Sequence, residues 1–485
     1  MKKILLIYDD HIRPNLFIQS IIGNKSFGDV ILKRESQKQK FFSFMQGQEL
    51  TYDMMELSNA WEIEPFLSKL RALRDDYSVL HIFSNQVIRD PHRAAYLMKK
   101  VSFVNTPTIA IQDRRPVLFM LNSLEDYLQF LENNFQRLQS PECFVKFDIT
   151  ETDAFFDISI HSNFLGYISG GFDARFFNSV QGDEFTVTKS SQDIEKIRAE
   201  YEFYNLLPDE MKIWFVMPYH FQEEASEASY QMERLHMTDL AIRYAHGAID
   251  LQECAQLLHK ISRFINDRKS KSISKEEQRM YADALYLQKL DKRIEQLKQC
   301  SEYRQLSSFL KAGTEIGSID NIVEHYKKLY DVLKVRRERE QPVAVIGHGD
   351  LCFSNILFNK ETSLLKLIDP KGAVREEQLW TDRYYDIAKL SHSICGRYDF
   401  FNNALYTISL DHDLRFNLEI SFNNAEYISI FRDFCQNNGF DYLLVRLYEV
   451  SLFLSMLPLH MDNPLKVLGF VLNGVKILEE VERNV

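Results

Sequence analysis

The chain has 485 residues, too many for one ordinary domain, so we expect two or three domains. Apolar residues make up 45% and charged residues 26%, a composition typical of a protein that folds around a substantial core. The formal net charge of -11 at pH 7 argues against a general affinity for nucleic acid or for an anionic membrane surface.

The cysteines and the apolar stretches indicate the cellular location of the protein. The six cysteines form no CxxC pair, which favours reduced thiols over disulfides or a zinc site. The first apolar run ends in Asp9 and Asp10 after five residues, which is too short for a secretory signal. The stretch "VSLFLSMLPLHM" contains Pro458 and predicts a buried helix instead of a membrane span. We therefore expect a cytoplasmic protein that neither inserts into a membrane nor binds nucleic acid.

Residues 1–145 predict a small α/β domain of unknown role. The strand-like runs "ILLIY", "VLHIFS" and "TPTIAIQ" alternate with charged helical stretches, and a polar junction lies near Pro141. Asp9, Asp10 and His11 follow the first strand. A polar loop that caps the next helix is the simpler interpretation, and a second ligand site is the alternative, because open α/β sheets bind ligands beyond the carboxyl ends of their strands.

The rest of the chain predicts a small β lobe, residues 146–237, and a larger helical lobe, residues 238–485. We expect three antiparallel strands over "DAFFDISIH", "GYISGGFDARFFNSV" and "DEFTVTKSS". The helix "SQDIEKIRAEYEFYNLL" should follow and end at Pro208. The helical lobe is interrupted at 346–372 by strands and a loop. This order of elements predicts an α+β fold preceded by the α/β domain.

The interruption contains "HGDLCFSNIL" and then "LLKLIDPKG". Asp350, Asn355 and Asp369 supply the carboxylate and amide oxygens that Mg²⁺ prefers. A carboxylate that orients a hydroxyl, together with such metal ligands, is what phosphoryl transfer needs from a protein. We expect a hairpin joining "AVIG", "NILF" and "LLKLID" to bring these groups together. An ordinary turn is the alternative explanation for each motif alone.

These motifs, followed by "DRYYDIAKL", resemble the aminoglycoside phosphotransferase and choline kinase superfamily over roughly residues 150–480. The resemblance implies a two-lobed protein-kinase-like fold, ATP or GTP as donor, Mg²⁺, and a small hydroxyl-bearing acceptor such as a sugar, alditol or amino alcohol. It implies that Asp350 orients or deprotonates the acceptor hydroxyl, and that Asn355 and Asp369 bind magnesium. It also implies that His348 and Asp386 support the catalytic loop.

The resemblance implies nucleotide-binding residues upstream as well. Lys189 should contact the nucleotide phosphates, and Glu200 should hold Lys189, with Glu202 as the alternative. The remaining candidates form a phosphate loop and a linker that meets the base: Ser169, Gly170 and Gly171, then Met232, Glu233 and Leu235. The loop has only two adjacent glycines, and Pro370 follows Asp369 where an apolar residue is frequent, so the preference between ATP and GTP stays open.

The acceptor pocket should be formed by the helices of 240–340 and 376–460; its candidate lining residues are Tyr384, Tyr385, His392 and Arg397. Resemblance to similar fused kinases suggests a role in surface polysaccharide precursor synthesis. The main alternative is a catalytically silent nucleotide-binding module that serves as an interaction protein. A second enzyme in residues 1–145 is a third hypothesis. A protein kinase is disfavoured, because no Ala-Pro-Glu sequence follows Asp369.

Overall fold

The computed structural model describes residues 3–48, 52–58, 63–169, 179–182, 185–314 and 317–485, with 179–182 described by their backbone only. The chain divides into two compact units, Met1–Phe172 and Asp173–Val485. They are called the first and the second unit below.

The first unit has a layered α/β architecture, as predicted. Its described strands are β1 (Lys3–Asp9), β2 (Ile31–Leu32), β3 (Glu35–Ser36), β4 (Tyr52–Leu57), β5 (Tyr77–Phe83), β6 (Gln86–Ile88), β7 (Thr108–Gln112), β8 (Arg115–Leu121), β9 (Asp148–Glu151) and β10 (Phe155–Asp157). Its described helices are α1 (Leu16–Ile22), α2 (Gln37–Gln46), α3 (Ile63–Arg71), α4 (Pro91–Val101), α5 (Leu124–Asn134) and α6 (His161–Ile168). Short 3-10 turns cover Phe135–Arg137 and Pro141–Phe144.

A six-stranded sheet in the order β4-β1-β5-β8-β7-β9 forms the centre of this unit. Strand β1 lies between β4 and β5 and is parallel to both. Its residues 4–9 are all buried, because separate apolar clusters cover the two faces of the sheet. Burial on both faces explains why this strand is a continuous apolar run without alternation.

The boundary predicted at residue 145 is wrong, because the first unit continues past it. Strand β9 extends the six-stranded sheet by pairing in parallel with β7, and β10 pairs antiparallel with β6. The side chain of Phe155 is buried in the core of this unit. Residue 161 and residues 166–168, predicted as parts of two successive strands, lie in helix α6 instead. An apolar run predicts a strand but does not specify which sheet will contain it.

The second unit has a small sheet followed by many helices. Its described strands are β11 (Ser179–Gly182), β12 (Thr186–Ser191), β13 (Pro218–Glu223), β14 (Ala228–Glu233), β15 (Thr238–Asp239), β16 (Ser270–Ser272), β17 (Val343–Ile346), β18 (Ile356–Asn359), β19 (Leu364–Leu367), β20 (Trp380–Asp382), β21 (Thr407–Leu410) and β22 (Phe416–Glu419).

The described helices of the second unit are α7 (Ile194–Leu206), α8 (Asp209–Lys212), α9 (Leu240–Ala245), α10 (Leu251–Asp267), α11 (Lys275–Asp283), α12 (Lys289–Lys298), α13 (Tyr303–Gly313), α14 (Ile319–Glu338), α15 (Tyr385–Ile394), α16 (Tyr398–Asn402), α17 (Ala425–Asn437), α18 (Tyr442–Met456) and α19 (Pro464–Arg483). A π-helical turn, Ala284–Gln288, joins α11 to α12. Short 3-10 turns cover Phe353–Asn355, Glu376–Leu379 and Leu457–His460.

The small lobe is an antiparallel sheet in the order β11-β12-β14-β13, with helix α7 packed against β13 and β14. Asp193 caps α7 by accepting a hydrogen bond from the backbone N–H of Lys196, and Pro208 follows its end. The large lobe shares one apolar core that includes most of α18. This arrangement confirms the predicted α+β fold with a small β lobe and a large helical lobe.

Within the described residues, Tyr442–His460 is the one segment long and apolar enough to cross a membrane. It consists of α18 and the 3-10 turn after it, and 72% of its apolar window is buried inside the protein. Burial of this kind is typical of a core helix, in agreement with the sequence prediction.

The strands around the 346–372 interruption pair differently from the prediction at one point. Strands β18 and β19 form the expected antiparallel hairpin. Strand β17, which contains "AVI", instead pairs with β16 and β20 in a separate three-stranded sheet. The segment 346–372 therefore passes from one sheet of the large lobe to another.

Candidate active site

Lys189 connects the small lobe to the segment after β19. Its ammonium lies 2.6 Å from Glu200 Oε2 and 2.8 Å from Asp369 Oδ1. Burial alone would lower the pKa of Lys189, but the carboxylates of Asp369 and Glu200 outweigh burial and raise it. Lys189 is therefore a cation held between two carboxylates.

Glu200, and not Glu202, forms this ion pair. Its side chain is almost fully buried on α7, and its Oε2 also accepts a hydrogen bond of 3.1 Å from the Tyr230 hydroxyl. Tyr230 stands directly opposite Lys189 in the β12–β14 pairing. Two strands and one helix therefore fix the direction of the lysine side chain.

Asp350 lies on the loop after β17 and keeps 41% of its side chain exposed. One of its oxygens, Oδ1, is 2.8 Å from the Lys389 ammonium, and Oδ2 accepts a hydrogen bond of 3.2 Å from Asn355 Nδ2. Burial would raise the pKa of Asp350, but the Lys389 ammonium outweighs burial and holds it below its usual value. Asp350 is accordingly an ionised carboxylate at neutral pH.

Asn355 is held so that its amide oxygen remains available. Its Nδ2 also donates to the backbone carbonyl of Asp350 at 2.8 Å, which closes the loop between the two residues. Its Oδ1 has one long contact, 3.4 Å from the Ser354 hydroxyl. The adjacent backbone N–H of Ile368 donates to the Asn355 carbonyl, which ties this loop to the end of β19.

His348 and Asp386 support the loop from beneath. The backbone N–H of Asp350 donates to His348 Nδ1 at 3.1 Å, so the ring carries its proton on Nε2, which lies 2.9 Å from the Ile368 carbonyl. Asp386 accepts hydrogen bonds from the backbone N–H groups of His348 and Gly349. Both side chains are fully buried, and their hydrogen bonds hold the loop in place.

Asp369 lies in a strained turn that faces α7. Its backbone has a positive φ of 55°, a conformation that Asp tolerates better than most residues. Gly372 has a φ of +88°, and a Cβ there would lie 2.8 Å from the backbone carbon of Ala199. The next residue, Ala373, donates to the Ala199 carbonyl at 2.9 Å. The turn therefore anchors Asp369 to the helix that carries Glu200.

A cleft lies between α7, β14 and the end of β19, and Met232, Asp369 and Pro370 contribute to its lining. Met232 and Glu233 belong to strand β14, so the predicted linker is shorter than expected and begins after Glu233. Leu235 lies in this connection, where its carbonyl accepts a hydrogen bond from the N–H of Met237.

The first residue of the predicted phosphate loop, Ser169, lies at the end of a helix and not between two strands. Ser169 is the C-cap of helix α6, in the first unit, where its hydroxyl donates to the Gly166 carbonyl. Gly170 and Gly171 lie outside the described residues. The sequence "SNFLGYIS" is compatible with a short helix as well as with a strand. This ambiguity explains why Ser169 was predicted in a loop between strands.

Two buried cations of the site were not identified from the sequence. Lys389 follows the "YYDIA" motif and pairs with Asp350, and Arg268 lies 3.2 Å from Asp386 Oδ2. Lys389 could have been found from its place four residues after Tyr385, on one face of α15. Arg268 is distant along the chain and carries no such signal. Tyr384, His392 and Arg397 are buried or half-buried in the helical core.

The first unit has a separate polar cluster at the end of β1. Asp9 Oδ2 lies 2.8 Å from His81 Nε2, Asp9 Oδ1 contacts His11 Nδ1, and the other nitrogen of His81 lies 2.8 Å from the Tyr127 hydroxyl. Asp10 accepts hydrogen bonds from Ser26 and from the N–H of Gly28. Asn15, and not this loop, caps α1.

Residues 203–369 match the Ecdysteroid kinase-like family. This part of the chain is similar to that family. The match extends from the middle of α7 to Asp369 and includes both Asp350 and Asn355. It confirms the resemblance to kinase-like small-molecule phosphotransferases that the motifs predict.

Three solved structures with low identity and low TM-scores are also similar to this chain. A thermostable mutant of aminoglycoside phosphotransferase APH(4)-Ia has 12% identity and a TM-score of 0.33, covering 66% of this chain and 98% of its own. The GDP complex of aminoglycoside 2'-phosphotransferase-IIIa has 14% identity and a TM-score of 0.35, covering 67% and 98%. An ethanolamine kinase of Plasmodium vivax has 12% identity and a TM-score of 0.34, covering 66% and 86%. The search of curated proteins found no match.

Proposed function

We propose that this protein transfers the γ-phosphoryl group of ATP or GTP to a hydroxyl group of a small molecule, such as a sugar, an alditol or an amino alcohol. The observation that carries the proposal is the position of Lys189, which contacts both Glu200 and Asp369 while Asp350 and Asn355 lie hydrogen-bonded on the adjoining loop. Phosphoryl transfer depends on positioning and on charge stabilisation, and these groups supply both.

Each residue has a defined task in this proposal. Lys189 binds the phosphates of the donor, and Glu200 keeps its ammonium directed into the cleft. Asp350 accepts a hydrogen bond from the acceptor hydroxyl and orients its oxygen toward the γ-phosphorus. As the new O–P bond forms, the bond to the β–γ bridging oxygen breaks, the nucleoside diphosphate leaves, and Asp350 receives the proton.

Asp369 and Asn355 fit a magnesium ion. Both present oxygen atoms, which Mg²⁺ prefers, and Asp369 keeps 42% of its side chain exposed. The described residues contain no cluster of three His, Cys, Asp or Glu side chains that could hold a metal alone. That agrees with an ion that keeps water and phosphate oxygens as its other ligands. Bound magnesium would neutralise charge on the donor phosphates.

The cellular location and the biosynthetic role of the protein stay predictions. All six cysteines are free thiols, which supports a cytoplasmic location. A role in surface polysaccharide precursor synthesis is also part of the proposal, and identification of the acceptor would test it.

The test is magnesium-dependent release of ADP or GDP across a panel of sugars, alditols, amino alcohols and aminoglycosides, with wild type beside Asp350→Asn. We expect one acceptor class to stimulate release and the variant to lose roughly 10²–10⁴-fold in kcat, as for loss of a general base. Nucleotide binding without stimulated release by any acceptor would favour the silent module. Absence of nucleotide binding would refute the proposal.

A further inference from the structure

Helix α15 places a lysine, Lys389, next to Asp350. Tyr385 and Lys389 are four residues apart and lie on the same face of this helix. The Lys389 ammonium is 2.8 Å from Asp350 Oδ1, so one positive charge beside the catalytic loop is balanced by one negative charge. Lys389 therefore forms an ion pair with Asp350.

Lys289 brings a second ammonium to the same place. It begins helix α12, directly after the π-helical turn Ala284–Gln288. Its Nζ donates to the Tyr385 hydroxyl at 2.8 Å and lies 5.3 Å from the centre of that ring. π-Helical turns are frequent at functional sites, because they shift the direction of the side chains that follow.

Among the described residues, no carboxylate lies within ion-pairing distance of Lys289. Its one hydrogen-bond partner there is the Tyr385 hydroxyl. Lys289 is only partly buried, whereas Tyr385 is almost fully buried. An ammonium group has three N–H donors, and this contact uses one of them.

The electrostatics of Tyr385 link the two lysines to the catalytic loop. Burial would raise the pKa of the Tyr385 hydroxyl, but the ammonium groups of Lys389 and Lys289 outweigh burial and lower it. The Asp350 carboxylate acts on the same hydroxyl in the opposite direction. Two lysines and one carboxylate, Asp350, therefore surround the Tyr385 hydroxyl.

We propose that the acceptor carries an anionic group, a phosphate or a carboxylate, which binds the Lys289 ammonium while the reacting hydroxyl meets Asp350. Tyr385 is itself buried, and its hydroxyl holds that ammonium in place. This inference rests on the proposed function and narrows its acceptor class. A cationic acceptor such as an amino alcohol would be repelled by the Lys289 ammonium, which has no carboxylate partner among the described residues. An anion gains a charge-assisted hydrogen bond from Lys289 and needs no competing carboxylate to be displaced.

The test measures acceptor binding by calorimetry on the full chain, with Mg²⁺ and a non-hydrolysable ATP analogue present. The probes form two matched series: glycerol, glycerol phosphate, glycerate and choline, then sorbitol and gluconate. The variants are Lys289→Met, which removes the charge, Lys289→Arg, which keeps it, and Lys292→Met, an exposed control on the same helix. Comparison of glycerol phosphate with glycerate separates phosphate from carboxylate as the preferred group.

We expect the anionic probes to bind more tightly than the neutral ones and choline to bind most weakly. Lys289→Met should weaken anion binding roughly tenfold or more, the usual effect of losing a hydrogen bond to a charged group. Lys289→Arg should retain most of the affinity, and Lys292→Met should bind like wild type. An unchanged melting temperature would show that Lys289→Met is folded.

Tighter binding of choline or of the neutral probes would overturn the inference. So would anion binding that Lys289→Met leaves unchanged, or no anion binding at millimolar concentration. Because the measurement needs no turnover, its outcome is separate from that of the proposed function. Anion binding through Lys289 without acceptor-stimulated ADP release would refute the kinase proposal and leave the anion site in place.

Discussion

The two units both place acidic side chains where strands end, but these side chains differ in exposure and in partners. In the first unit, Asp9 is completely buried, and both of its oxygens contact histidines. In the second unit, Asp350 and Asp369 remain about two-fifths exposed, and each contacts a lysine. A buried carboxylate with satisfied oxygens stabilises the fold or positions its neighbours, whereas an exposed one beside fixed cations can meet a substrate.

Asp386 shows that the second unit contains both kinds of carboxylate. It is fully buried, and its partners are backbone N–H groups and Arg268. It therefore belongs with Asp9 by environment, although it lies next to the catalytic loop. The predictions below use exposure to separate carboxylates that act on substrate from those that hold the fold.

Asp386→Ala should have the largest effect, because it removes both support of the loop and the partner of a buried cation. Leaving Arg268 unpaired should cost roughly 3–5 kcal/mol in the free energy of unfolding. Activity should fall too, since the N–H groups of His348 and Gly349 lose their acceptor. Denaturant titration and acceptor-stimulated turnover measure the two effects. Asp413→Ala, at an exposed turn, is the control, and equal stability of the two variants would contradict the account.

Asp9→Ala should reduce stability without changing turnover. Its removal leaves His81 and His11 without their acceptor, at a cost of about 1–3 kcal/mol per unsatisfied buried group. Denaturant unfolding of the full chain, followed together with turnover, checks both statements. Loss of kinase activity in folded Asp9→Ala would contradict the statement that the buried Asp9 stabilises the fold and does not act on substrate.

Asp9 also predicts the pH dependence of the first unit. Burial raises its pKa, but hydrogen bonds from His11 and His81 outweigh burial and lower it to about 2. Because the folded pKa lies below the unfolded value, its stabilisation is complete above that value and is lost as the pH falls toward 2. The loss amounts to about 2 kcal/mol. Asp9→Asn should not show this acid dependence in unfolding experiments.

The contiguous parts of the site could be predicted from the sequence, and the distant parts could not. Asp350, Asn355 and Asp369 lie within one short segment, so their spacing alone brings them together. Arg268 reaches Asp386 across 118 positions, and such a contact depends on tertiary packing that local patterns do not encode. The same limit explains the misplaced boundary at residue 145, because an apolar strand such as β10 can pair in either unit.

Glu200→Gln tests whether the ion pair between Glu200 and Lys189 prepares the small lobe for nucleotide binding. The variant keeps the shape of the side chain but removes the charge that holds Lys189, so Lys189 should turn further toward Asp369. We expect the Kd for the nucleotide to rise roughly tenfold, the effect of losing one charged hydrogen bond. Calorimetric titration with the nucleotide measures it, and Glu202→Gln on the same helix is the matched control. Equal Kd values for both variants would show that the ion pair does not prepare the site.

Lys389→Met should change the pH profile more than the maximal rate. The Lys389 ammonium holds the pKa of Asp350 down against burial, so its loss should raise that pKa. Since the ionised form of Asp350 orients the acceptor, the acid limb of kcat/KM should move to higher pH. Lys389→Arg keeps the charge and should leave the limb near its wild-type position. An acid limb that does not move in Lys389→Met would mean that Asp350 does not control it.

The most direct test of the account is the magnesium dependence of nucleotide binding by wild type and Asp369→Asn, measured by calorimetry. We predict that Mg²⁺ tightens binding by wild type, and that Asp369→Asn, which alters an exposed side chain, keeps its melting temperature but loses the tightening. Magnesium-dependent binding that survives in Asp369→Asn, or wild type that does not bind nucleotide, would contradict the assignment of this cleft as a nucleotide and metal site.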